Sequence, residues 1–257
     1  MTLSGCIEML FHAEHEDFAA RIHAAHAAGL EAVEFWSWRN KDLDAVERAL
    51  GDTGVALTGF LVDPRCAIVD PVTHPAFLDA VRAGIAAAQR LHARALIVVT
   101  GNELSDRPRA AQHAAIVDAL RQAAPLAEDT GVSLVLEPLN TVVNHPGYYL
   151  ASTDEGFGIV DEVGSPGVRL LYDLYHSVMM GEQPSDVLAG RGEMIGHVHI
   201  ADAPGRHEPG TGRIDWGHCA RVLDTSGYRG PVGLEYRPTR NTAETVAATR
   251  TLLSAAA

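Results

Sequence analysis

Two patterns of apolar residues alternate along the whole chain. Eight short runs are almost entirely apolar and rich in β-branched residues, which is typical of buried strands in a parallel sheet. These runs are GCIEML, EAVEFW, VALTGFLV, RALIVVT, VSLVLE, VRLLYD, GHVHIAD and GPVGLEY. In the segments between them, apolar residues recur every three or four positions, as at Phe18, Ile22 and Ala25. That spacing predicts amphipathic helices between the strands.

Residues that favour helix ends agree with this division. Pro75 suits the first turn of a helix, and Ser152 with Glu155 has the S-x-x-E form of a capping box. Gly54 and Gly227 stand where two of the helices are expected to end. The least regular stretch, residues 61–75, predicts a long loop after the third strand.

Eight strand and helix units in one chain of 257 residues predict an α/β fold of the (β/α)8 type, the TIM barrel. A closed barrel of this kind typically needs about 250 residues. The sequence contains no linker or low-complexity tract that would mark a second domain. We therefore predict that residues 1–257 form a single TIM-barrel domain.

Composition and charge limit the classes of partner. The 33 acidic and 20 basic residues give a net charge of −13, which opposes attraction to nucleic acid or to an anionic membrane surface. The three cysteines are widely separated, which argues against a disulfide framework and a thiolate metal site. The N-terminal sequence has no basic region followed by an apolar stretch, and no long uncharged apolar run occurs elsewhere. We expect a cytoplasmic protein that binds a small molecule, without nucleic-acid or membrane partners.

Four polar residues stand at the ends of neighbouring strands. Glu137 follows the apolar run SLVL, and an unpaired carboxylate in that interior would cost several kcal/mol unless it were solvated, paired or bound to a cation. Asp173, His199 and Glu235 have equivalent places in strands six, seven and eight. Because the C-terminal ends of barrel strands converge on one mouth, we expect these four side chains to meet there.

Three carboxylates and one imidazole that meet need a counter-charge, which a divalent cation supplies. An oxygen-rich ligand set with one nitrogen favours Mn²⁺, Mg²⁺ or Co²⁺, with Zn²⁺ as the alternative ion. The competing interpretation is that each residue is a separate surface or ion-pair residue at the start of a loop. His197, two residues before His199, shares its face of the strand but lies deeper, so we expect it to support a ligand rather than bind the metal itself.

Several longer motifs together resemble the hydroxypyruvate isomerase family of the xylose isomerase-like barrels. They are LEPLN, NHPGYYL, YDLYH, GHVHIAD, EPGTG and VGLEYRP, and IEMLF and GLEAVEFW near the N-terminus are also similar to that family. The resemblance covers nearly the whole chain. It implies one divalent metal ion held by the four strand-end residues, with Glu137 and Glu235 moving a proton between adjacent carbons of the substrate.

The chemistry of aldose–ketose isomerisation supports the same roles. A proton must leave a carbon beside a carbonyl group and return to the neighbouring carbon, through an enediolate. A metal ion that chelates the substrate oxygens stabilises the developing charge, while carboxylates on either side serve as base and acid. Glu137 and Glu235 come from opposite sides of the mouth, so they are the predicted catalytic residues. Asp173 and His199 are then ligands only.

Four further residues are predicted to bind the substrate. By resemblance to sugar epimerases, His176 would donate to a substrate oxygen; alternatively, it caps the next helix. By similarity, Arg206 would face a carboxylate or hydroxyl groups, with Glu208 holding it in place, and a solvated surface pair is the alternative. Trp36 would wall the pocket against water, or else pack under neighbouring loops.

The motifs are compatible with more than one substrate. The best-known hydroxypyruvate isomerases carry glutamine where this chain has His199, whereas the ketose 3-epimerases and inosose dehydratases of the superfamily carry histidine. A hydroxypyruvate isomerase-like activity is therefore the first expectation, and a ketose 3-epimerase or an inosose dehydratase-type lyase is the alternative. A non-catalytic sugar-binding barrel or an auxiliary subunit would need neither Glu137 nor Glu235.

An endonuclease IV-like activity is the least expected one. It requires additional histidine ligands after strands three and four, where this chain has GFLVD and VVTGN. The net charge of −13 also opposes DNA binding. Barrels of this type often pair, so a homo-oligomer is one expected assembly.

Overall fold

Every strand pairing in the described part of the chain is parallel. The structure, a computed structural model, describes residues 1–255. Its strands are β1 (Leu3–Cys6), β2 (Ala32–Glu34), β3 (Ala56–Leu57), β4 (Gly59–Leu61), β5 (Ala95–Val98), β6 (Ser133–Leu136), β7 (Val168–Asp173), β8 (Ile195–Ile200) and β9 (Val232–Leu234). They pair in the order β3-β2-β1-β9-β8-β7-β6-β5-β4.

The two ends of this sheet meet at Thr58, which alone separates β3 from β4. Its backbone N–H donates to the carbonyl of Val33 (2.9 Å), and its own carbonyl accepts from the N–H of Ala95 (3.0 Å). Beyond Thr58, the N–H of Phe35 donates to the carbonyl of Gly59 (3.4 Å) and the N–H of Leu61 donates to the carbonyl of Trp36 (3.0 Å), so the barrel is closed through the backbone. The predicted TIM barrel is confirmed, with the third predicted strand divided into β3 and β4.

Helices cover the outside of the barrel. They are α1 (Phe18–Ala27), α2 (Leu43–Thr53), α3 (His74–Leu91), α4 (Arg109–Ala127), α5 (Thr153–Val163), α6 (Leu174–Met179), α7 (Pro184–Val187), α8 (Trp216–Ser226) and α9 (Thr242–Ser254). The periodic segment with Phe18, Ile22 and Ala25 is α1, which begins at Phe18. The sequence periodicity thus located this helix correctly.

The helix ends follow the predicted signals. The Ser152 hydroxyl accepts from the N–H of Glu155 at the start of α5, and Pro75 lies in the first turn of α3. Gly54 and Gly227 end α2 and α8 in the left-handed conformation, with φ of 69° and 91°. Glycine tolerates this conformation because it has no Cβ. The predicted long loop after the third strand ends at α3, after a short 3₁₀ turn over Pro71–Thr73.

The interior of the barrel has an apolar side and a polar side. Side chains alternate in and out along each strand, and the outward ones form the large core under the helices. On one side the inward residues Ala95, Ile97, Val135 and Leu171 form a separate apolar cluster. On the other side the inward residues are polar and buried, namely Ser4, Glu34, Thr58, His197 and His199. Ser4 and Thr58 donate hydrogen bonds to the Glu34 carboxylate, and His197 contacts it as well, so that side contains a hydrogen-bonded network.

The extent of the domain stays a prediction, and Ala256 and Ala257 lie outside the described residues. Among residues 1–255, no helix combines the length and the apolar character needed to cross a membrane. The cytoplasmic location also stays a prediction.

We expect the apolar side of the interior to contribute strongly to stability. Val135 is fully buried in its cluster, so Val135→Ala should lower the free energy of unfolding by about 2 kcal/mol through lost burial and a cavity. Val72, 80% exposed, is the matched control, and Val72→Ala should change the free energy by less than about 0.5 kcal/mol. Urea unfolding followed by circular dichroism measures both. Equal effects of the two substitutions would contradict the described interior packing.

Candidate metal centre and active site

The four strand-end residues predicted to converge do so at the mouth of the barrel. Glu137 directly follows β6, Asp173 ends β7, His199 lies in β8 and Glu235 directly follows β9. Each offers one ligand atom, and these atoms all lie within 4.8 Å of one another. All four side chains are buried. The alternative, in which they are separate surface residues, does not fit this arrangement.

The ring of His199 points one nitrogen into this cluster. Its Nδ1 lies 3.5 Å from Oε1 of Glu137 and 3.4 Å from Oε2 of Glu235. Neither contact has hydrogen-bond geometry, and Nδ1 has no other partner among residues 1–255. A buried imidazole nitrogen without a partner, facing two carboxylates, is a donor atom available to a cation.

The charges in the cluster are poorly balanced by the protein itself. Burial raises the pKa of the Glu137 carboxyl, and burial likewise raises the pKa of Asp173 to about 6, against the attraction of the nearby Arg206. Burial opposes ionisation of Glu235 too, but the charges of Arg206 and His199 prevail and lower the pKa of this carboxyl. Burial also opposes protonation of His199, but the charges of Glu235 and Glu34 prevail and raise the pKa of this imidazole. The three carboxylates of the cluster and Glu34 therefore share the positive charge of Arg206 and, without a cation, of the His199 ring.

These residues fit a divalent cation. Three carboxylates and one imidazole form the oxygen-rich set that Mn²⁺, Mg²⁺ and Co²⁺ accept, and Zn²⁺ can also bind it. The close approach of buried like charges and the unpartnered Nδ1 of His199 are both explained by an ion at this place.

His176 presents a hydrogen-bond donor to the same cluster. Its Nδ1 accepts from the backbone N–H of Asn140 (3.1 Å), and because an amide N–H can only donate, the proton of the neutral ring must be on Nε2. Nε2 lies 3.5 Å from Oδ2 of Asp173 and has no hydrogen bond within the described chain. Burial, with the charge of Arg206, lowers the pKa of His176 to about 3, so the ring is neutral at ordinary pH.

His176 does not cap the next helix, which was the alternative prediction for this residue. Asp173 is the N-cap of α6, and its Oδ1 accepts from the backbone N–H of His176 (3.0 Å). The imidazole itself takes no part in the cap. A single carboxylate thus starts the helix with one oxygen and faces the cluster with the other.

Arg206 lies at the edge of the cluster, in the loop between β8 and α8. Its Nη2 contacts Oε2 of Glu235 and lies 3.8 Å from Oδ2 of Asp173. The guanidinium lies over the ring of Tyr175, 5.2 Å from its centre. Its Nε is buried and unpartnered in the part of the chain that the structure describes. Arg206 is therefore not a solvated surface residue.

Glu208 does not hold Arg206 as predicted. Its two carboxylate oxygens accept from the N–H (3.1 Å) and the hydroxyl of Thr239, and within residues 1–255 no hydrogen bond joins it to Arg206. The reason is the course of the loop, which brings Glu208 against the segment after β9. Glu208 is buried there and ties the two loops together.

Trp36 follows β2 and lies at the mouth. Its Nε1 donates to Oε1 of Glu235 (2.7 Å), while 39% of the residue remains exposed. This arrangement fits the predicted pocket wall better than the alternative, packing under loops. Cys6 approaches the same oxygen, with its Sγ 4.0 Å away.

The loop that carries Arg206 is organised by Asp202. The carboxylate of this buried residue accepts from the N–H of Gly210 (2.7 Å), the N–H of Ile214 (3.2 Å) and Nε1 of Trp216 (2.9 Å). The loop is thus folded around one side chain. The role of Asp202 in the structure is therefore to shape the loop.

Sequence analysis missed Glu34, which is buried at the end of β2 and contacts both His197 and His199. The signal was present, since Glu34 is a carboxylate within the predicted strand EAVEFW, just as Glu137 is one at the end of VSLVLE. His145 was also missed. Its ring packs edge-to-face against His176, with 5.4 Å between the centres.

Comparison with known proteins agrees with this geometry. The chain is 30% identical over 249 residues to the hydroxypyruvate isomerase of Escherichia coli (strain K12), covering 94% of this chain and 95% of that protein. It is 33% identical over 236 residues to the 2-oxo-tetronate isomerase of Cupriavidus necator, covering 92% of this chain and 83% of that protein.

One solved structure has nearly the same backbone fold as this protein. A protein from Brucella melitensis, described as an AP endonuclease of family 2, has a TM-score of 0.90 and 28% identity, over 98% of this chain and 99% of that one. Residues 22–253 match the family model described as the xylose isomerase-like TIM barrel. The chain therefore belongs to the xylose isomerase-like TIM barrel family.

Proposed function

We propose that this protein is a metal-dependent isomerase that moves a proton between adjacent carbons of a small hydroxy-oxo acid or sugar through an enediolate. The activity expected first is hydroxypyruvate isomerase-like, as in the relative from Escherichia coli. The chain is an isomerase in class, in keeping with the two curated relatives that carry that word in their names. The single observation that carries the proposal is the convergence of three carboxylates and one imidazole at the mouth.

The cluster would hold one divalent metal ion, through carboxylate oxygens of Glu137, Asp173 and Glu235 and through Nδ1 of His199. Mn²⁺, Mg²⁺ or Co²⁺ suits these donors, with Zn²⁺ as the alternative. When bound, such an ion supplies Lewis-acid stabilisation of the negative charge that develops on the substrate oxygens.

Glu137 and Glu235 are the proposed base and acid. One carboxylate takes the C–H proton from the hydroxyl-bearing carbon, and the released electron pair forms the C=C bond of the enediolate while the C=O π pair moves to the carbonyl oxygen. The other carboxyl group then protonates the former carbonyl carbon, and the hydroxyl proton of the first carbon passes to the former carbonyl oxygen as the new C=O bond forms. Both carboxylates lie near Nδ1 of His199, at 3.5 and 3.4 Å, so both reach the place where the substrate would be held. Their burial limits access of bulk water to the proton in transit.

The surrounding residues would orient the substrate. His176 offers its Nε2–H to a substrate oxygen, and Trp36 walls the pocket. The Arg206 guanidinium suits a carboxylate, because its fork of N–H groups can donate two parallel hydrogen bonds. Glu208 contributes indirectly, by tying the Arg206 loop to Thr239. A small-molecule substrate is therefore the expected partner, and a homo-oligomer stays a prediction.

A ketose 3-epimerase or an inosose dehydratase-type lyase is the second candidate. The observation in its favour is His199, at a position where the best-known hydroxypyruvate isomerases have glutamine. Proton removal beside a carbonyl is common to all three reactions, so the centre would serve any of them.

We do not propose a nuclease or a purely binding role. The segments after β4 and β5, VD and VTGN, contain no histidine to hold further metal ions, although the relative from Brucella melitensis is described as an endonuclease. A binding protein would have no use for a base and an acid.

Exchange of protons with solvent tests the proposed reaction. In D₂O, Mn²⁺-loaded protein should incorporate deuterium beside the carbonyl of hydroxypyruvate and form its isomer, because the enediolate is reprotonated from an exchangeable carboxyl. NMR follows both events. Incorporation with a ketose, accompanied by inversion at the neighbouring carbon, would instead support the epimerase. Failure with both 2-oxo acids and ketoses, with metal bound, would contradict catalysis of this type.

Removal of either proposed acid–base group should stop the reaction. Glu137→Gln and Glu235→Gln should each lower kcat by about 10²–10⁴-fold, because an amide cannot carry the proton. Steady-state rates at saturating Mn²⁺, with bound metal determined by atomic absorption, measure the effect. Glu162→Gln, on the exposed face of α5, is the control and should leave kcat unchanged. A near-normal rate in either metal-loaded variant would refute the acid–base assignment.

A further inference from the structure

The network on the polar side of the barrel interior ends at the candidate metal ligand His199. Glu34 is its central member, 2% exposed at the end of β2. One carboxylate oxygen, Oε2, accepts from the hydroxyls of Ser4 (2.9 Å) and Thr58 (2.8 Å) and lies 2.8 Å from Nε2 of His197. Oε2 is therefore held by donors from β1, from the junction of β3 and β4, and from β8. The carboxylate has little freedom to rotate.

The other oxygen of Glu34 faces His199. Its Oε1 lies 2.9 Å from Nε2 of that ring, on the side away from the cluster, in a charge contact that lacks hydrogen-bond geometry. A carboxylate favours a proton on the nitrogen it faces, which leaves the lone pair of the other nitrogen free. That other nitrogen, Nδ1, is the atom directed toward Glu137 and Glu235.

Gly233 makes this contact possible. It pairs with His199 across β8 and β9 and with Ser4 across β1 and β9. A Cβ at this position would lie 2.3 Å from Oε1 of Glu34 and 2.7 Å from Cδ2 of His199, closer than atoms can approach. Glycine is therefore required here by lack of space beside the Glu34–His199 contact.

We propose that Glu34 is a positioning residue, which holds the His199 ring so that Nδ1 faces the metal centre, and that Gly233 provides the room for this contact. The inference rests on the proposed function, because it concerns the same metal ligand. Glu34, His197 and His199 also lie close enough to form a metal cluster of their own. We assign them a supporting role, since Oε2 of Glu34 is already satisfied by two hydroxyl donors.

Two substitutions test the role by different means. Glu34→Gln removes the charge that orients the ring and leaves the space around it unchanged, whereas Gly233→Ala keeps the charge and pushes the carboxylate and the His199 ring apart. Each should weaken Mn²⁺ binding about 10–100-fold, as is typical when the partner of a metal-bound histidine is lost. Electron paramagnetic resonance detects free Mn²⁺, and a titration of the full-length protein therefore gives the dissociation constant for Mn²⁺. The Tm of the metal-free protein, measured in parallel, reports stability separately.

Matched controls come from outside the network. The half-buried Glu182 carboxylate also accepts hydrogen bonds from hydroxyls, those of Thr153 and Ser177, so Glu182→Gln controls for loss of a bonded carboxylate. A Cβ at Gly158 would meet nothing within 4 Å, so Gly158→Ala controls for the added methyl group. Both should leave the dissociation constant within about 3-fold of the unsubstituted protein.

The outcomes separate the two proposals. Weaker Mn²⁺ binding in both test variants, with controls unchanged, supports the role of Glu34. Unchanged Mn²⁺ binding in Glu34→Gln and Gly233→Ala would overturn it, even if their Tm fell, because a purely structural role predicts that result. Failure of the unsubstituted protein to bind Mn²⁺ would instead overturn the proposed metal centre, and the positioning role with it.

Discussion

The structure depends on one electrostatic constraint, the burial of three carboxylates within a few ångströms of one another at the barrel mouth. Glu137, Asp173 and Glu235 cannot all remain ionised there without positive charge close by. Arg206 supplies part of that charge, and His199 does so only while its ring is protonated. We propose that a divalent cation, with Nδ1 of the neutral His199 ring as one of its donors, would supply the rest and give the site its chemistry.

The barrel interior below this cluster has an apolar side and a polar side. The cluster of Ala95, Ile97, Val135 and Leu171 fills one side and provides ordinary apolar stability. The opposite side contains polar side chains instead, and their contacts run from Ser4 and Thr58 through Glu34 to His199. Thr58 belongs to that network and also closes the barrel through its backbone. Thr58 thus takes part both in barrel closure and in the network that reaches His199.

The sequence predicted the barrel and the convergence of the four strand-end residues for a clear physical reason. Strand periodicity and parallel topology fix which side chains face inward, and barrel closure brings strand ends together. Glu137, Asp173, His199 and Glu235 follow directly from those rules. Glu34 obeys them as well and could have been found, had the test for a carboxylate at an apolar strand end been applied to β2.

Contacts made by loops could not be predicted in the same way. Glu208 bonds Thr239 rather than Arg206, because the loop after β8 is folded around Asp202 through hydrogen bonds to residues as far along as Trp216. The hydrogen-bond partners of Glu208 and Asp202 do not follow from the periodicity or spacing of residues in the sequence. The division of the third strand at Thr58 likewise depends on the junction with Val33 and Ala95, which are brought together only when the barrel closes.

The central claim is that one cation is held by the strand-end cluster. Anomalous X-ray diffraction from crystals soaked in Mn²⁺ tests it most directly, since manganese can be located independently of lighter atoms. The account predicts one anomalous peak bonded to oxygens of Glu137, Asp173 and Glu235 and to Nδ1 of His199. The absence of a peak at the mouth at full Mn²⁺ loading, or a peak held by other residues, would contradict it.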